Sequence, residues 1–172
     1  MKKLYLDRTQ LTSCTAVFVS DAQVIDAGAT VNAMSVKDKD KEYERFAREY
    51  DIHFLFEDNI PAVDFYTVPQ FDIFAVDGKG SFLGSVGEGF EPGNQAPICL
   101  VDKNRRCYLV ASNFREFISC AAYWAENLRP FHDIVFYPSK SAAKKELEFI
   151  DIDELNAMRN EVYDGIEKSD HT

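Results

Sequence analysis

The chain is short of basic residues and of long apolar runs, and each shortage excludes a class of protein. Its 19 Lys and Arg stand against 29 Asp and Glu, which gives a formal net charge of −10. That balance disfavours binding to nucleic acid or to an acidic membrane surface. No apolar run approaches the roughly 20 residues that span a bilayer, and polar residues 7–10 interrupt any secretory apolar stretch. We therefore expect a cytoplasmic protein that does not enter membranes.

Cysteine is also scarce. The four cysteines, Cys14, Cys99, Cys107 and Cys120, match neither the spacing of a zinc ribbon nor that of a disulfide scaffold. Each lies in an apolar setting, which predicts buried, reduced thiols. The glycines of residues 87–93 are not followed by the helix start that a phosphate-binding loop needs. The residues themselves predict no metal site, no cofactor and no catalytic group.

The chain does contain enough apolar material for one core. With 172 residues, 46% of them hydrophobic, we expect a single domain over residues 1–172. Short runs rich in β-branched and aromatic residues predict strands within residues 1–35. Residues 37–50 have the apolar spacing of an amphipathic helix, and residues 53–56 predict a short strand.

Residues 71–124 carry the clearest pattern, two hairpins followed by a helix. The runs FDIFAV and SFLGSV flank a glycine-containing turn at residues 77–80, and ICLV and CYLVA flank a second turn at residues 102–105. Such apolar runs around tight turns predict β-hairpins. We expect these four strands to share one antiparallel sheet.

The hairpins are followed by helix signals. Asn113 and Glu116 have the spacing of a capping box, and apolar residues at helical intervals extend the predicted helix past Trp124, which we place in the core. A short strand after residue 130 and a helix from Ser139 are predicted next. A final helix over residues 151–172 is predicted to dock on the domain, with the binding of a partner as the alternative.

The acidic charge is concentrated in one part of the chain. Residues 51–99 hold eight acidic side chains against the single Lys79, a balance of −7. Such a surface attracts a basic partner and accelerates association with it. The predicted partner-binding residues are acidic side chains of this segment: Asp72, Asp77, Glu88 and Glu91 first, then Glu57, Asp58 and Asp64.

Four stretches of the chain resemble the SUKH superfamily, the cell-wall assembly regulator-like and bacterial immunity protein family. They are YTVPQFDIFAVD at residues 66–77, APIC at 96–99, CYLVA at 107–111 and NFREF at 113–117, and the resemblance covers about a third of the chain. It implies an α+β fold with a curved, mostly antiparallel sheet backed by helices, and no catalytic residues. Bacterial members are viewed as immunity proteins that neutralise toxin domains, often nucleases, whereas fungal relatives are interaction hubs in cell-wall regulation.

Charge and resemblance together predict a bacterial, non-enzymatic protein-binding module of the immunity type. Its partner is expected to be a basic toxin domain, which the acidic sheet edge and loops would cover. Two alternatives stay open: a regulatory or scaffolding interaction protein, and a small enzyme that uses carboxylates or Cys107. The chain is expected to be a monomer or a weak homodimer.

Overall fold

A computed structural model of the protein describes residues 1–10, 17, 19–87 and 95–151. Within these residues the chain forms eleven strands and three α-helices. The strands are β1 (Lys2–Asp7), β2 (Ala22–Ala27), β3 (Ala29–Val31), β4 (His53–Phe54), β5 (Tyr66–Val68), β6 (Phe71–Val76), β7 (Phe82–Val86), β8 (Ile98–Val101), β9 (Cys107–Ala111), β10 (Arg129–Pro130) and β11 (Val135–Tyr137). The helices are α1 (Lys41–Tyr50), α2 (Phe114–Ser119) and α3 (Lys140–Glu146).

A seven-stranded sheet forms the centre of the described chain. Its order is β10-β9-β8-β7-β6-β3, and β4 pairs with the second half of β6 beside β3. Every pairing in this sheet is antiparallel except that of β3 with β6. Two small sheets flank it, the parallel pair β1-β2 and the antiparallel pair β5-β11. The predicted α+β fold with a mostly antiparallel sheet is confirmed.

Both predicted hairpins are present, and an aspartate holds each turn. The Asp77 carboxylate accepts hydrogen bonds from the backbone N–H groups of Lys79, at 2.9 Å, and Ser81, at 2.8 Å. Asp102 does the same between β8 and β9, accepting from the backbone two and four residues further along. A side chain that bonds its own turn in this way fixes the turn and the register of the strands beside it.

The helices begin where capping side chains place them. Asp40 caps α1 by accepting from the Glu42 N–H at 2.9 Å, so the helix begins at Lys41, four residues later than predicted. Asn113 caps α2, in agreement with its predicted capping box, and Ser139 caps α3. A short polar side chain in extended conformation satisfies N–H groups that lack a partner within the helix.

Helix α2 is shorter than predicted. It ends at Ser119, and a 3-10 turn over Ala121–Tyr123 follows. Trp124 follows this turn and lies in the core, where its indole N–H donates to the backbone carbonyl of Tyr50 at 2.7 Å. The core position predicted for Trp124 is therefore confirmed, although the residue lies beyond the helix.

The central strands are buried on both faces of the sheet. On β8, Ile98 and Leu100 belong to a core under α1 and α2, whereas Cys99 and Val101 belong to a core on the opposite face. Alternation of side chains along a strand produces this division. A strand covered on both sides has no polar face, which explains the uninterrupted apolar run ICLV.

Gly84 on β7 is a position where only hydrogen fits. A Cβ atom there would lie 2.6 Å from the carbonyl oxygen of Asp72 and 2.7 Å from the Phe71 ring. Because the Asp72 oxygen belongs to the backbone, a Cβ atom at Gly84 could be accommodated only if β6 and β7 moved apart. We expect Gly84→Ala to lower the free energy of unfolding by about 1–3 kcal/mol, as overpacking does. Urea denaturation measures this, and an unchanged midpoint would contradict the close approach of β6 and β7.

Three further predictions can be compared with the structure. Cys99 and Cys107 are buried free thiols and Cys120 is a partly buried one, whereas Cys14 lies outside the described residues. The final helix predicted within residues 151–172 also lies outside them, apart from its first residue. In the part of the chain that the structure describes, no helix has the length and apolar character needed to cross a membrane.

Candidate functional site

The two described acidic residues ranked first for partner binding have internal roles in the fold. Asp72 and Asp77 are only 7% and 8% exposed. Asp72 accepts a hydrogen bond from the Thr30 hydroxyl at 2.9 Å, which ties β6 to β3, and Asp77 holds the β6–β7 turn. Their carboxylates are turned toward the chain itself, and little of either surface is left for a partner to contact.

The second group of predicted residues lies on the surface. Asp58 forms an ion pair with Lys39 at 2.6 Å, and Asp64 forms one with Arg105 at 2.7 Å. The hydrogen bond from Lys39 lowers the pKa of Asp58, so this carboxylate is ionised at neutral pH. Glu57 is exposed. These three carboxylates can contribute to a protein contact, while Glu88 and Glu91 lie outside the described residues.

A different surface feature has the shape of a binding site: an apolar cavity of about 300 Å³ between α1, α2 and the sheet. We call it the aromatic pocket. Five aromatic side chains form most of its lining, together with residues from the segment after β3 and from both helices. The lining residues are Asn32, Met34, Glu42, Tyr43, Phe46, Phe54, Phe74, Phe114 and Ile118.

Ring-to-ring contacts hold the aromatic pocket in shape. Phe54 on β4 packs edge-on against Tyr43 and Phe46 of α1, with ring centroids 5.2 and 5.7 Å apart. On the other side, Phe74 of β6 packs against Phe114 of α2 at 5.5 Å, with the rings nearly perpendicular. Edge-to-face pairs of this kind stabilise a defined arrangement beyond the area they bury. The pocket is therefore formed before anything binds.

The charged group at the edge of the pocket, Glu42, is paired with a cation of its own helix. Arg45 donates to both carboxylate oxygens of Glu42, at 2.8 and 3.3 Å, and this interaction lowers the pKa of Glu42. The same guanidinium lies over the Phe46 ring, 5.4 Å from its centroid. A carboxylate held ionised by its own cation has no proton to donate and so does not suit a general acid. The arrangement can bind apolar groups, with charge at one edge.

The spacing of apolar residues along the sequence did not reveal the aromatic pocket. The spacing of Tyr43 and Phe46 predicted a buried face for α1, and that of Phe114 and Ile118 predicted the same for α2. Each face is in fact only partly covered, because the two helices do not close over the strands between them. The sequence did indicate that two separate helices are rich in aromatic residues. It did not indicate that a gap remains between those helices.

Elsewhere in the described residues, His, Cys, Asp and Glu side chains form no group of three that could hold a metal ion. Comparison of the chain with protein-family models, with curated proteins and with solved structures finds no match. Function must therefore be inferred from the geometry and charge of the chain.

Proposed function

We propose that the protein is a non-enzymatic binding module of the immunity type, which neutralises a basic toxin domain by covering its surface. The observation that carries this proposal is the preformed aromatic pocket beside Ile118, a large apolar side chain that is 38% exposed. Pockets that accept an aromatic or aliphatic anchor are where protein interfaces concentrate their binding energy.

The occupant we propose is one large apolar side chain of the partner. A cavity of about 300 Å³ has room for a group of that size and not for a cofactor of dinucleotide size. The Glu42–Arg45 pair at the edge can meet polar groups around such an anchor. Burying the anchor in a rigid aromatic site yields affinity without a loss of side-chain freedom on this chain.

Charge supports a basic partner. The chain carries a net charge of −10, and Glu57, Asp58 and Asp64 are exposed. Complementary charge accelerates encounter, and its contribution falls as salt shortens the Debye length. The resemblance to SUKH proteins supports the same class of function, because members of that superfamily bind proteins. A regulatory or scaffolding protein would use the same pocket with a partner that is not a toxin.

The test uses the product of the gene that neighbours the one for this chain, which we expect to contain a basic toxin domain. We expect Ile118→Asp to weaken binding by roughly thirtyfold, because a carboxylate at a buried hot spot loses about 2 kcal/mol or more. Tyr123→Asp is the matched control, since Tyr123 is an exposed apolar residue that does not line the pocket. Titration calorimetry measures the affinities, and survival of cells that express the toxin measures neutralisation.

The outcomes separate the possibilities. Equal affinity of wild type and Ile118→Asp would exclude the aromatic pocket as the docking site. A neighbouring gene product that binds through the pocket but has no toxic activity would identify a regulatory or scaffolding partner. A neighbour that does not bind the chain at all would contradict the immunity assignment.

A further inference from the structure

A cluster of polar side chains surrounds the buried carboxylate of Asp7, and none of these side chains lines the aromatic pocket. The Asp7 side chain is 1% exposed, and the ammonium group of Lys140 lies 2.6 Å from its Oδ2 atom. Its Oδ1 atom accepts from the Thr9 backbone N–H at 3.1 Å, the Thr9 hydroxyl at 2.6 Å and the Tyr66 hydroxyl at 3.0 Å. Three elements, β1, β5 and α3, therefore meet at one carboxylate.

Asp7 is ionised in this setting. Burial opposes ionisation, but the hydrogen bonds from Lys140, Thr9 and Tyr66 outweigh it and lower the pKa of Asp7. Gly28 makes the cluster possible, because a Cβ atom there would lie 2.8 Å from the Thr9 methyl group and 3.3 Å from the Tyr66 ring. The cluster thus holds the Lys140 ammonium at a fixed place.

The Lys140 ammonium faces a cavity of about 460 Å³, which we call the lysine cavity. One part of its lining is polar, with Lys144 and Gln10 beside the Asp7–Lys140 pair. The other part comes from the segment that follows α3 and combines three apolar side chains with the carboxylate of Asp151. The complete lining is Asp7, Gln10, Lys140, Lys144, Leu147, Phe149, Ile150 and Asp151.

We propose that the lysine cavity binds a small organic acid, a molecule with one carboxylate and a short hydrocarbon body. An ammonium group has three donors, and Asp7 takes one from Lys140. Lys144 lies four residues further along α3 and so projects from the same side of the helix. Two ammonium groups and the Gln10 amide can together donate to a carboxylate.

The apolar part of the lining indicates the chemistry of the ligand beyond its carboxylate. Leu147, Phe149 and Ile150 are all partly exposed, and all three border the cavity. They offer surface to a hydrocarbon chain whose acid group lies at Lys144. An inorganic anion would leave this apolar surface unused. An acid of about six carbons fits a pocket of this size.

The experiment titrates the whole protein with hexanoate, acetate and hexanamide in a calorimeter. Acetate keeps the acid group without the hydrocarbon body, and hexanamide keeps the body without the charge. We expect hexanoate to bind most tightly. Lys144→Gln should weaken hexanoate binding about tenfold, as expected for the loss of a charge-assisted hydrogen bond. Lys145→Gln is the matched control, because Lys145 neighbours Lys144 on α3 but does not line the cavity.

Three results would overturn the proposal. They are no heat of binding with hexanoate up to about 10 mM, equal affinity for hexanamide and hexanoate, and an equal effect of the two lysine variants. Ile118→Asp should leave hexanoate binding unchanged, since Ile118 lines the aromatic pocket and not the lysine cavity. The outcome is therefore independent of whether the proposed toxin partner binds.

Discussion

Lys140→Met is expected to lower the free energy of unfolding by about 3 kcal/mol, because it leaves the buried Asp7 carboxylate without its cation. The expected loss lies at the low end of the range for broken buried ion pairs, because the Lys140 side chain keeps 25% of its surface exposed. Methionine has a similar volume to the lysine stem, so the loss reflects charge and not packing. Urea denaturation at neutral pH measures the effect.

The control is an exposed pair of the same chemistry. Lys2 lies 3.1 Å from Glu148, and both side chains are mostly exposed. Lys2→Met should therefore cost less than about 1 kcal/mol. If both lysine variants cost the same, the Asp7–Lys140 pair is not buried as described.

The pH dependence of Lys140→Met gives a second check. The folded pKa of Asp7 lies below its ordinary value of 3.8, so the stability contributed by the carboxylate is complete above that value and is lost as pH falls through the folded pKa. Removing Lys140 raises the folded pKa. Acidification therefore favours the variant relative to wild type, and the difference in stability between them should shrink as pH falls toward the ordinary pKa of Asp7. A difference that stays constant would contradict the ion pair.

Phe117→Ala is expected to have the largest effect, a loss of about 3–5 kcal/mol, because deleting a buried ring leaves a cavity that the core fills only in part. Phe117 is fully buried on α2 and packs on Phe74, with ring centroids 5.5 Å apart. Chemical denaturation followed by the fluorescence of Trp124, which lies in the same core, measures the loss.

The neighbouring residue supplies the matched control. Ile118 follows Phe117 on α2, yet it faces the aromatic pocket and is partly exposed. Ile118→Ala should cost clearly less than Phe117→Ala, because Ile118 keeps 38% of its surface exposed whereas Phe117 is fully buried. A large loss for Ile118→Ala would mean that the pocket is part of the folded core, and would leave the binding test without a stable variant.

Local signals account for the elements that the sequence predicted well. Asp77 and Asp102 each bond to the turn of their own hairpin, and Asn113 caps the first turn of α2 in a similar way. These interactions join residues close in sequence, so composition and spacing reveal them. The end of α2 was missed, because its place depends on where Trp124 meets α1.

The candidate sites depended on contacts between distant residues. Asp72 was predicted to face a partner, but it bonds to Thr30, 42 positions away. The sequence around Asp7 did not predict its buried cluster, because its partners Tyr66 and Lys140 come from distant parts of the chain. Charge counting gives the net charge of a segment and not the direction in which each carboxylate points. The clustering of acidic residues in the sequence therefore did not reveal that Asp72 and Asp77 are buried.

The sequence by itself determined the class of the fold, the two hairpins, the starts of α2 and α3 and a net charge of −10, because local bonding and composition carry that information. Only the tertiary structure decided which carboxylates are buried, that two partly covered helices leave an aromatic pocket, and that a buried aspartate holds Lys140 beside a second cavity. The physical reason is that burial and pairing depend on which elements meet in space, and side chains at long separation along the chain create both.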